Sequence, residues 1–157
     1  MHESVETKDI KAIVFDLGGV LVEVDCISPI SAWSDDARQV TDILAQASNI
    51  PEVRQYETGQ ISTESFARAI VDKLALPVTT DTFITNFRTW VSGPLPGAVE
   101  LLAALASSHT LCCLSNTNAV HWRHIRESMG IAEDFDHVFL SHETGSYKPD
   151  PAAYQDV

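Results

Sequence analysis

The sequence predicts an α/β fold in which a parallel sheet is interrupted by an inserted all-helical block. Three observations lead to this prediction: a strand of buried type at residues 12–15, a region without good strand patterns at residues 30–92, and alternating strand and helix patterns after it. Such alternation indicates right-handed crossovers that place successive strands parallel in one sheet. We therefore predict a discontinuous core of residues 1–24 and 95–157, with the helical block at 25–94.

The first predicted strand is the apolar run Ala12-Ile13-Val14-Phe15, whose composition is typical of a strand covered on both faces. Asp16 ends this run and is followed at once by Leu17-Gly18-Gly19-Val20. Glycines permit unusual backbone φ angles and allow a ligand to approach the backbone closely. Open α/β sheets bind their ligands in the crevice at the carboxyl ends of the strands. Asp16 is therefore a candidate functional carboxylate at that edge.

The helical block contains three helix starts, each a short polar segment that can cap a helix. They lie at residues 34–36, 62–64 and 79–81. The second and third helices carry apolar side chains on one face, namely Phe66, Ile70 and Leu74, and then Phe83, Phe87 and Trp90. The absence of a strand pattern indicates an all-helical lid over the carboxyl edge of the first strand.

The chain returns to the core at Gly93-Pro94-Leu95-Pro96-Gly97, which has the composition of a loop. Beyond this loop the pattern predicts, in order, a helix near residues 99–105, a strand at 110–114, a helix at 118–129 and a strand at 137–140. Gly130 directly follows the second of these helices and is a candidate C′ glycine.

The composition excludes several classes of partner. The formal net charge of −12 argues against non-specific binding to DNA, RNA or an anionic membrane, so an anionic substrate must be captured by a few local donors. No apolar run is long enough to span a bilayer, and the polar, acidic N-terminus lacks the pattern of a signal peptide. The three cysteines include the neighbours Cys112 and Cys113 and no CxxC pair, which favours a reduced, cytoplasmic protein.

Two later segments carry polar groups that a phosphate site needs. Ser115-Asn116-Thr117-Asn118 lies at a strand-to-helix junction, where hydroxyl, amide and free backbone N–H groups can bind an anion. The alternative is that one of these residues simply caps the helix. Lys148 precedes Pro149, which restrains it to extended geometry and fixes the position of its charge. The alternative for Lys148 is a solvated loop lysine.

Together, three segments resemble the motifs of the haloacid dehalogenase (HAD) superfamily, in the order of that family. Asp16 and its neighbours resemble the first motif, Leu114-Ser115-Asn116 the second, and Lys148-Pro149-Asp150-Pro151 the third. The helical block lies where the family places a C1-type cap. Residues 57–62 and 115–121 resemble a branch of sugar-phosphate phosphatases similar to glucose-1-phosphate phosphatase. The resemblance implies a Rossmann-like parallel sheet with an inserted helical cap.

The resemblance also implies a chemistry, the hydrolysis of a small phosphorylated metabolite, with a sugar phosphate as the expected substrate. Asp16 would be the nucleophile that forms an aspartyl-phosphate intermediate, with Ser115 and Lys148 as the other catalytic residues. Mg²⁺ would be the cofactor, held by the Asp16 side chain and the Gly18 backbone carbonyl together with waters. The phosphate would be bound by Gly19, Ser115, Asn116 and Lys148.

One departure from the family pattern concerns Gly18. The commonest first motif has a second Asp at this place, which serves as general acid and base, and such assistance is typically worth ~10²–10⁴ in rate. A sugar anomeric phosphate needs less assistance, because a hemiacetal hydroxyl is more acidic than an ordinary alcohol. A dehalogenase, which expels halide and needs no proton on the leaving group, is the alternative, although that class generally has a bulkier residue here.

The second departure is the absence of the family's fourth motif, an acidic pair that completes the Mg²⁺ site. The sequence ends at Val157, and neither Asp150 nor Asp156 lies in the right segment to replace that pair. The first strand would then be an exposed apolar edge, which favours either coverage by another chain, such as a second copy, or a fragment of a longer protein. A catalytically silent domain that binds a phosphate ligand or acts in assembly is a further alternative.

Two other polar groups are not given a catalytic role. His121 matches the phosphatase branch and is a candidate proton donor, but a packed or exposed helix histidine is the preferred interpretation. Ser141-His142-Glu143 has the residue types of a triad, yet neighbours on an extended segment do not converge on one point.

Overall fold

The computed structural model describes residues 10–33, 37–155 and 157, with residues 37–39 described by their backbone alone. The strands of this described part are β1 (Ala12–Phe15), β2 (Val22–Val24), β3 (Val91–Pro94), β4 (Thr110–Ser115) and β5 (His137–Leu140). Its α-helices are α1 (Ile27–Ser31), α2 (Ala37–Ala47), α3 (Pro51–Glu57), α4 (Thr63–Lys73), α5 (Thr80–Phe87), α6 (Ala98–Ala106), α7 (Ala119–Ser128) and α8 (Ser141–Thr144).

The main sheet has the order β1–β4–β5, and both of its strand pairs are parallel. Ile13 lies opposite Leu111, and Cys113 lies opposite Val138. This arrangement confirms the predicted α/β class with a parallel sheet. Because parallel strands end at the same edge, the residues that follow β1, β4 and β5 meet there, as the ligand crevice of an open sheet requires.

A second sheet, which the sequence analysis did not predict, joins β2 and β3 in antiparallel fashion. Val22 lies opposite Pro94, and Val24 lies opposite Val91. β2 has only three residues, and β3 runs into the Gly-Pro segment that was assigned to a loop. Proline is tolerated at a strand end or on an edge strand, so this composition does not exclude a strand. The small sheet ties together the two chain segments that lead into and out of the helical block.

β1 is not covered on both faces, so that part of the prediction was wrong. Ile13 and Phe15 pack against the core of the main sheet, whereas Val14 on the other face is 45% exposed. The physical reason is that the first hydrophobic cluster covers only the face of β1 that carries Ile13 and Phe15, while neither cluster of the described residues includes Val14. β1 also pairs with β4 alone among the described residues, so it is an edge strand. Coverage of this edge by a second copy of the chain stays a prediction.

Two helices of the helical block, α4 and α5, begin directly after polar residues that cap them. Ser62 accepts a hydrogen bond from the Ser65 N–H at the start of α4, and Thr79 does the same for Thr82 at α5. Both predicted starts are confirmed, while residues 34–36 lie outside the described residues. α1 and α3 were not predicted individually, although α3 has proline at its first position, a favoured place for that residue.

Two separate hydrophobic clusters form, one around the main sheet and one in the helical block. The first contains apolar residues of the sheet, α6 and α7, such as Leu102, Leu111 and Ile125. The second lies within the helical block and is dominated by aromatic rings, with Tyr56 stacked on Phe66 at 4.4 Å between ring centroids. The domain boundaries themselves stay a prediction. Of the helices in the described residues, none has the length and apolar character needed to cross a membrane.

Candidate active site

Asp16 lies directly after β1, at the carboxyl edge of the sheet. Its Oδ1 accepts a hydrogen bond of 2.7 Å from the Leu17 N–H, and its Oδ2 lies 2.8 Å from Lys148 Nζ. The side chain is 43% exposed, so the carboxylate is oriented by the protein and still open to a ligand. The resulting geometry is that of an oriented carboxylate with a cation beside it, as a candidate carboxylate nucleophile requires.

Lys148 is held by the end of β4. Its Nζ donates to the Leu114 carbonyl at 2.8 Å, and its side chain is only 19% exposed. The Asn116 amide bonds to the backbone of Lys148 in both directions, donating to its carbonyl at 2.9 Å and accepting from its N–H at 2.8 Å. Lys148 is therefore no solvated loop lysine, and its backbone is fixed by Asn116 in addition to its neighbour Pro149, with which it forms a cis peptide bond.

The predicted phosphate ligands differ in their burial and in their hydrogen bonds to the rest of the protein. Ser115 ends β4, is 3% exposed and lines the cavity described below. The amide of Asn116 is engaged by Lys148, and the Gly19 N–H donates to the Val22 carbonyl at 2.8 Å in a turn where Gly19 has a φ of 73°. The phosphate-binding role of all four residues stays a prediction.

The segment of residues 115–118 can contain both the candidate anion site and the helix cap that were predicted as alternatives. Asn118 caps α7, because its side-chain oxygen accepts from the His121 N–H at 3.0 Å. The Thr117 N–H donates to Ser141 Oγ at 2.9 Å, which leaves the cap and the candidate anion site to different residues of the same segment. Ser115 can thus serve a ligand while Asn118 caps the start of α7.

A cavity of about 280 Å³ extends from this edge into the helical block. Leu17, Gly18 and Ser115 line it at the sheet. Farther in, most of its walls are aliphatic and aromatic side chains, including Tyr56, Phe66, Phe83, Phe87 and Trp90, with the Glu57 carboxylate and the His121 ring among the polar exceptions. Ligand pockets commonly measure ~300–1,000 Å³, so the space suits a small organic group.

His121 is a packed histidine, in line with the preferred interpretation. Its ring stacks on Phe87 at 4.2 Å, its Nε2 lies 2.7 Å from the Phe87 carbonyl, and its Nδ1 lies 3.1 Å from Asn118 Nδ2. A carbonyl accepts, so Nε2 carries the hydrogen and Nδ1 accepts from the amide. Burial lowers the pKa of His121 to about 4, so the ring is neutral at pH 7 and its one N–H is already engaged.

This histidine makes the stability of the fold depend on pH. The pKa is about 6.5 in the unfolded chain and about 4 in the folded one, so the unfolded state binds more protons between these values and stability is lost as pH falls through them. Relative to His121→Phe, the wild type should lose about 3 kcal/mol of unfolding free energy between pH 7 and 4. Urea unfolding at several pH values measures this difference, and parallel curves for the two proteins would contradict it.

Two other reactive groups near the edge are inert. Burial, with the negative charge of Asp16 second, raises the pKa of the Cys113 thiol to about 12, so it stays protonated. The prediction that residues 141–143 form an extended segment was wrong. They belong to the short helix α8, which begins at Ser141 directly after β5. Ser141 Oγ donates to the Thr117 carbonyl at 3.0 Å, which agrees with the absence of a triad.

Few groups among the described residues could bind a metal ion at this edge. Among the described residues, no group of three or more His, Cys, Asp or Glu side chains is arranged to hold an ion. The Asp16 carboxylate and the Gly18 carbonyl are oxygen donors of the kind that Mg²⁺ prefers. This pair suits a Mg²⁺ that keeps most of its waters and binds together with a substrate phosphate, and it does not suit an ion held by these residues alone.

Sequence reasoning missed the contacts that the helical block makes with the Lys148 segment. Glu57 and Arg54 of α3 bond to Tyr147 and Asp150, which flank Lys148 in the chain. The only signal in the sequence was the Glu57-Thr58-Gly59 segment, which was noted as part of the resemblance and was given no partner.

The comparison with known families agrees with this geometry. The profile described as haloacid dehalogenase-like hydrolase matches residues 10–157. The chain therefore belongs to the haloacid dehalogenase-like hydrolase family.

Solved structures of this family share the fold. A HAD family enzyme from Bacteroides thetaiotaomicron, in complex with magnesium and inorganic phosphate, is 24% identical, with a TM-score of 0.67 over 94% of this chain and 76% of that one. A predicted HAD-like family hydrolase from Porphyromonas gingivalis is 23% identical, with a TM-score of 0.67 over 94% and 74%. L-2-haloacid dehalogenase from Xanthobacter autotrophicus, with chloropropionic acid covalently bound, is 19% identical, with a TM-score of 0.65 over 92% and 62%. At these identities the likeness concerns the fold.

Proposed function

We propose that this hydrolase is a Mg²⁺-dependent phosphatase that cleaves a small phosphorylated metabolite through an aspartyl-phosphate on Asp16. The observation that carries the proposal is the approach of Lys148 Nζ to Asp16 Oδ2, at 2.8 Å, beside a cavity that opens into the helical block. A carboxylate nucleophile needs a cation at this place, because the attacking oxygen and the phosphoryl group are both negative.

The reaction begins with attack of an Asp16 carboxylate oxygen on phosphorus, which forms the acyl-phosphate bond as the bond to the leaving oxygen breaks. The Leu17 N–H holds the other carboxylate oxygen, so the attacking oxygen has a fixed direction. Lys148 offsets the charge that gathers on the phosphoryl oxygens, and Ser115 can donate to one of them. Water then hydrolyses the aspartyl phosphate and restores Asp16.

Mg²⁺ would be held by Asp16 and the Gly18 carbonyl, and its charge would further neutralise the phosphate. The Bacteroides enzyme that shares the fold was crystallised with magnesium and inorganic phosphate, which supports this choice of metal.

A sugar phosphate is the substrate class we expect. Gly18 offers no proton to the leaving oxygen, and the neutral His121 has its single N–H bonded to Phe87. A leaving group that departs without general acid assistance has to be a good one, such as the anomeric oxygen of a sugar.

Halide release is the second candidate, favoured by the apolar walls of the cavity. Those walls would surround the alkyl part of a haloacid, and halide needs no proton to depart. Here Asp16 would attack carbon instead of phosphorus and form an ester.

A substrate panel with and without Mg²⁺ separates these candidates. We expect the wild type to release phosphate from at least one phosphorylated metabolite, sugar 1-phosphates above all, and to lose that turnover when the metal is chelated and regain it when Mg²⁺ is restored. Halide release that is unaffected by chelation would replace the proposal with the second candidate. Phosphate binding without any turnover would indicate a catalytically silent domain.

A further inference from the structure

Both residues that flank the Lys148-Pro149 pair are held by α3 of the helical block. The Tyr147 hydroxyl donates to Glu57 Oε2 at 2.7 Å, and Arg54 forms an ion pair with Asp150. The first bond joins residues 90 positions apart in the chain. It connects the helical block with the core, whose hydrophobic clusters are separate. The helical block therefore contacts the segment of the candidate catalytic lysine at residues on both sides of the Lys148-Pro149 pair.

The two contacts differ in strength because they differ in exposure. Glu57 and Tyr147 are both partly buried, and burial raises the pKa of the Glu57 carboxyl group, while the hydrogen bond from Tyr147 acts in the opposite direction. A hydrogen bond in such a setting is stronger than one in water. The side chains of Arg54 and Asp150 are 55% and 46% exposed, and ion pairs of this kind contribute little. The hydrogen bond between Tyr147 and Glu57 is thus the main connection.

The ring of Tyr147 is also fixed from a second direction. The guanidinium carbon of Arg54 lies 5.0 Å from the centre of the Tyr147 ring, a cation–π contact. Because Tyr147 is joined to Lys148 by one peptide bond, restraint of its side chain limits how far the Lys148 backbone can rotate. Asn116 restrains the same backbone from the β4 side.

We propose that Glu57 and Tyr147 are positioning residues for Lys148, so that the docked helical block and the end of β4 jointly hold the lysine against Asp16. The consequence is that the charge beside the nucleophile is held less firmly when α3 leaves the Tyr147 segment, although the contacts with Leu114 and Asn116 remain. The assignment of a catalytic task to Lys148 rests on the proposed function, whereas the restraint itself rests on the contacts alone.

The restraint can be measured without any enzymatic assay, through the rate at which an amine-acylating reagent modifies Lys148, followed by mass spectrometry. In Tyr147→Phe the ring and its contact with Arg54 remain and only the hydroxyl is lost. We expect Lys148 to be modified roughly fivefold faster in this variant, with Lys73 as the internal reference. Arg68→Gln, which breaks an exposed ion pair with Glu64 elsewhere in the helical block, is the matched control and should leave the rate unchanged.

Activity provides the second readout, through a double-mutant cycle. Tyr147→Phe should lower kcat roughly fivefold in the wild-type background and have no effect in a Lys148→Gln background, because a residue that acts through Lys148 has nothing to position there. Glu57→Gln keeps a side-chain oxygen for the Tyr147 hydroxyl and should leave the acylation rate of Lys148 near that of the wild type, whereas Glu57→Leu should speed acylation as Tyr147→Phe does.

The outcomes separate this inference from the proposed function. An unchanged modification rate in both Tyr147→Phe and Glu57→Leu overturns the positioning role, whatever the activity. Faster modification in a chain that hydrolyses no phosphorylated substrate supports the positioning role and counts against the phosphatase. If Tyr147→Phe does not fold, Glu57→Leu carries the test by itself.

Discussion

Asp16→Asn is expected to reduce phosphate release by a factor of roughly 10⁴ or more, the range observed when a nucleophile is removed from other hydrolases. The amide that replaces the carboxylate has nearly the same shape but lacks the negative oxygen that attacks phosphorus. Steady-state phosphate release, measured at saturating Mg²⁺ with the best substrate of the panel, checks this prediction.

The fold should survive this substitution. The amide oxygen can still accept from the Leu17 N–H, and the lost ion pair with Lys148 involves a carboxylate that is 43% exposed, so little stability is at stake. Asp72→Asn, an equally conservative change on an exposed surface of α4, is the control and should leave turnover unchanged. Turnover that survives in Asp16→Asn within tenfold of the wild type would exclude Asp16 as the nucleophile.

Heavy-oxygen water distinguishes the two candidate chemistries, both of which need Asp16. If halide release forms an alkyl ester, water attacks the carbonyl carbon and leaves a heavy oxygen in Asp16 after one turnover. If an aspartyl phosphate forms, attack at phosphorus sends the heavy oxygen into the released phosphate. Mass spectrometry of the Asp16 peptide and of the product phosphate, under single-turnover conditions, decides between them.

The main sheet was predictable because its strands carry their signal locally. Each is a short run of apolar residues that ends in polar or glycine residues, and the helices between the later ones have clear starts. β2 and β3 lack such a signal, because a three-residue strand and a strand with a Gly-Pro segment resemble loops. Their pairing depends on the helical block between them, because the end of that block brings β3 back beside β2.

The placement of the candidate site residues was predictable for those that lie next to a strand end. Asp16 and Ser115 directly follow or end strands, and the topology alone brings them to one edge. The contact of Asn116 with the Lys148 backbone spans 32 positions, and that of Glu57 with Tyr147 spans 90. Neither follows from local patterns, because the first depends on how two distant segments of the core meet and the second on how the helical block packs against the core.

Gly59→Ala is expected to have the largest effect on stability outside the site. Gly59 follows α3 with a φ of 72°, a conformation that costs a residue with a side chain roughly 1–2 kcal/mol. A Cβ at this position would also clash with the His142 carbonyl oxygen and lie 3.3 Å from its carbonyl carbon. Because the obstacle is backbone, α3 or α8 has to shift, and overpacking of this kind typically costs a further ~1–3 kcal/mol.

Gly130→Ala carries the first contribution alone, because Gly130 has a φ of 68° and nothing within 4 Å of the added Cβ, so the difference between the two variants gives the cost of the clash. Urea unfolding should therefore show a larger loss for Gly59→Ala than for Gly130→Ala, and equal losses would mean that the turn relaxes without moving its neighbours. The difference also has a functional consequence. A shift that relieves the clash moves the end of α3 away from α8, and this end carries Glu57. Even at temperatures where it stays folded, Gly59→Ala should loosen the Tyr147 contact and speed the acylation of Lys148, whereas Gly130→Ala should not.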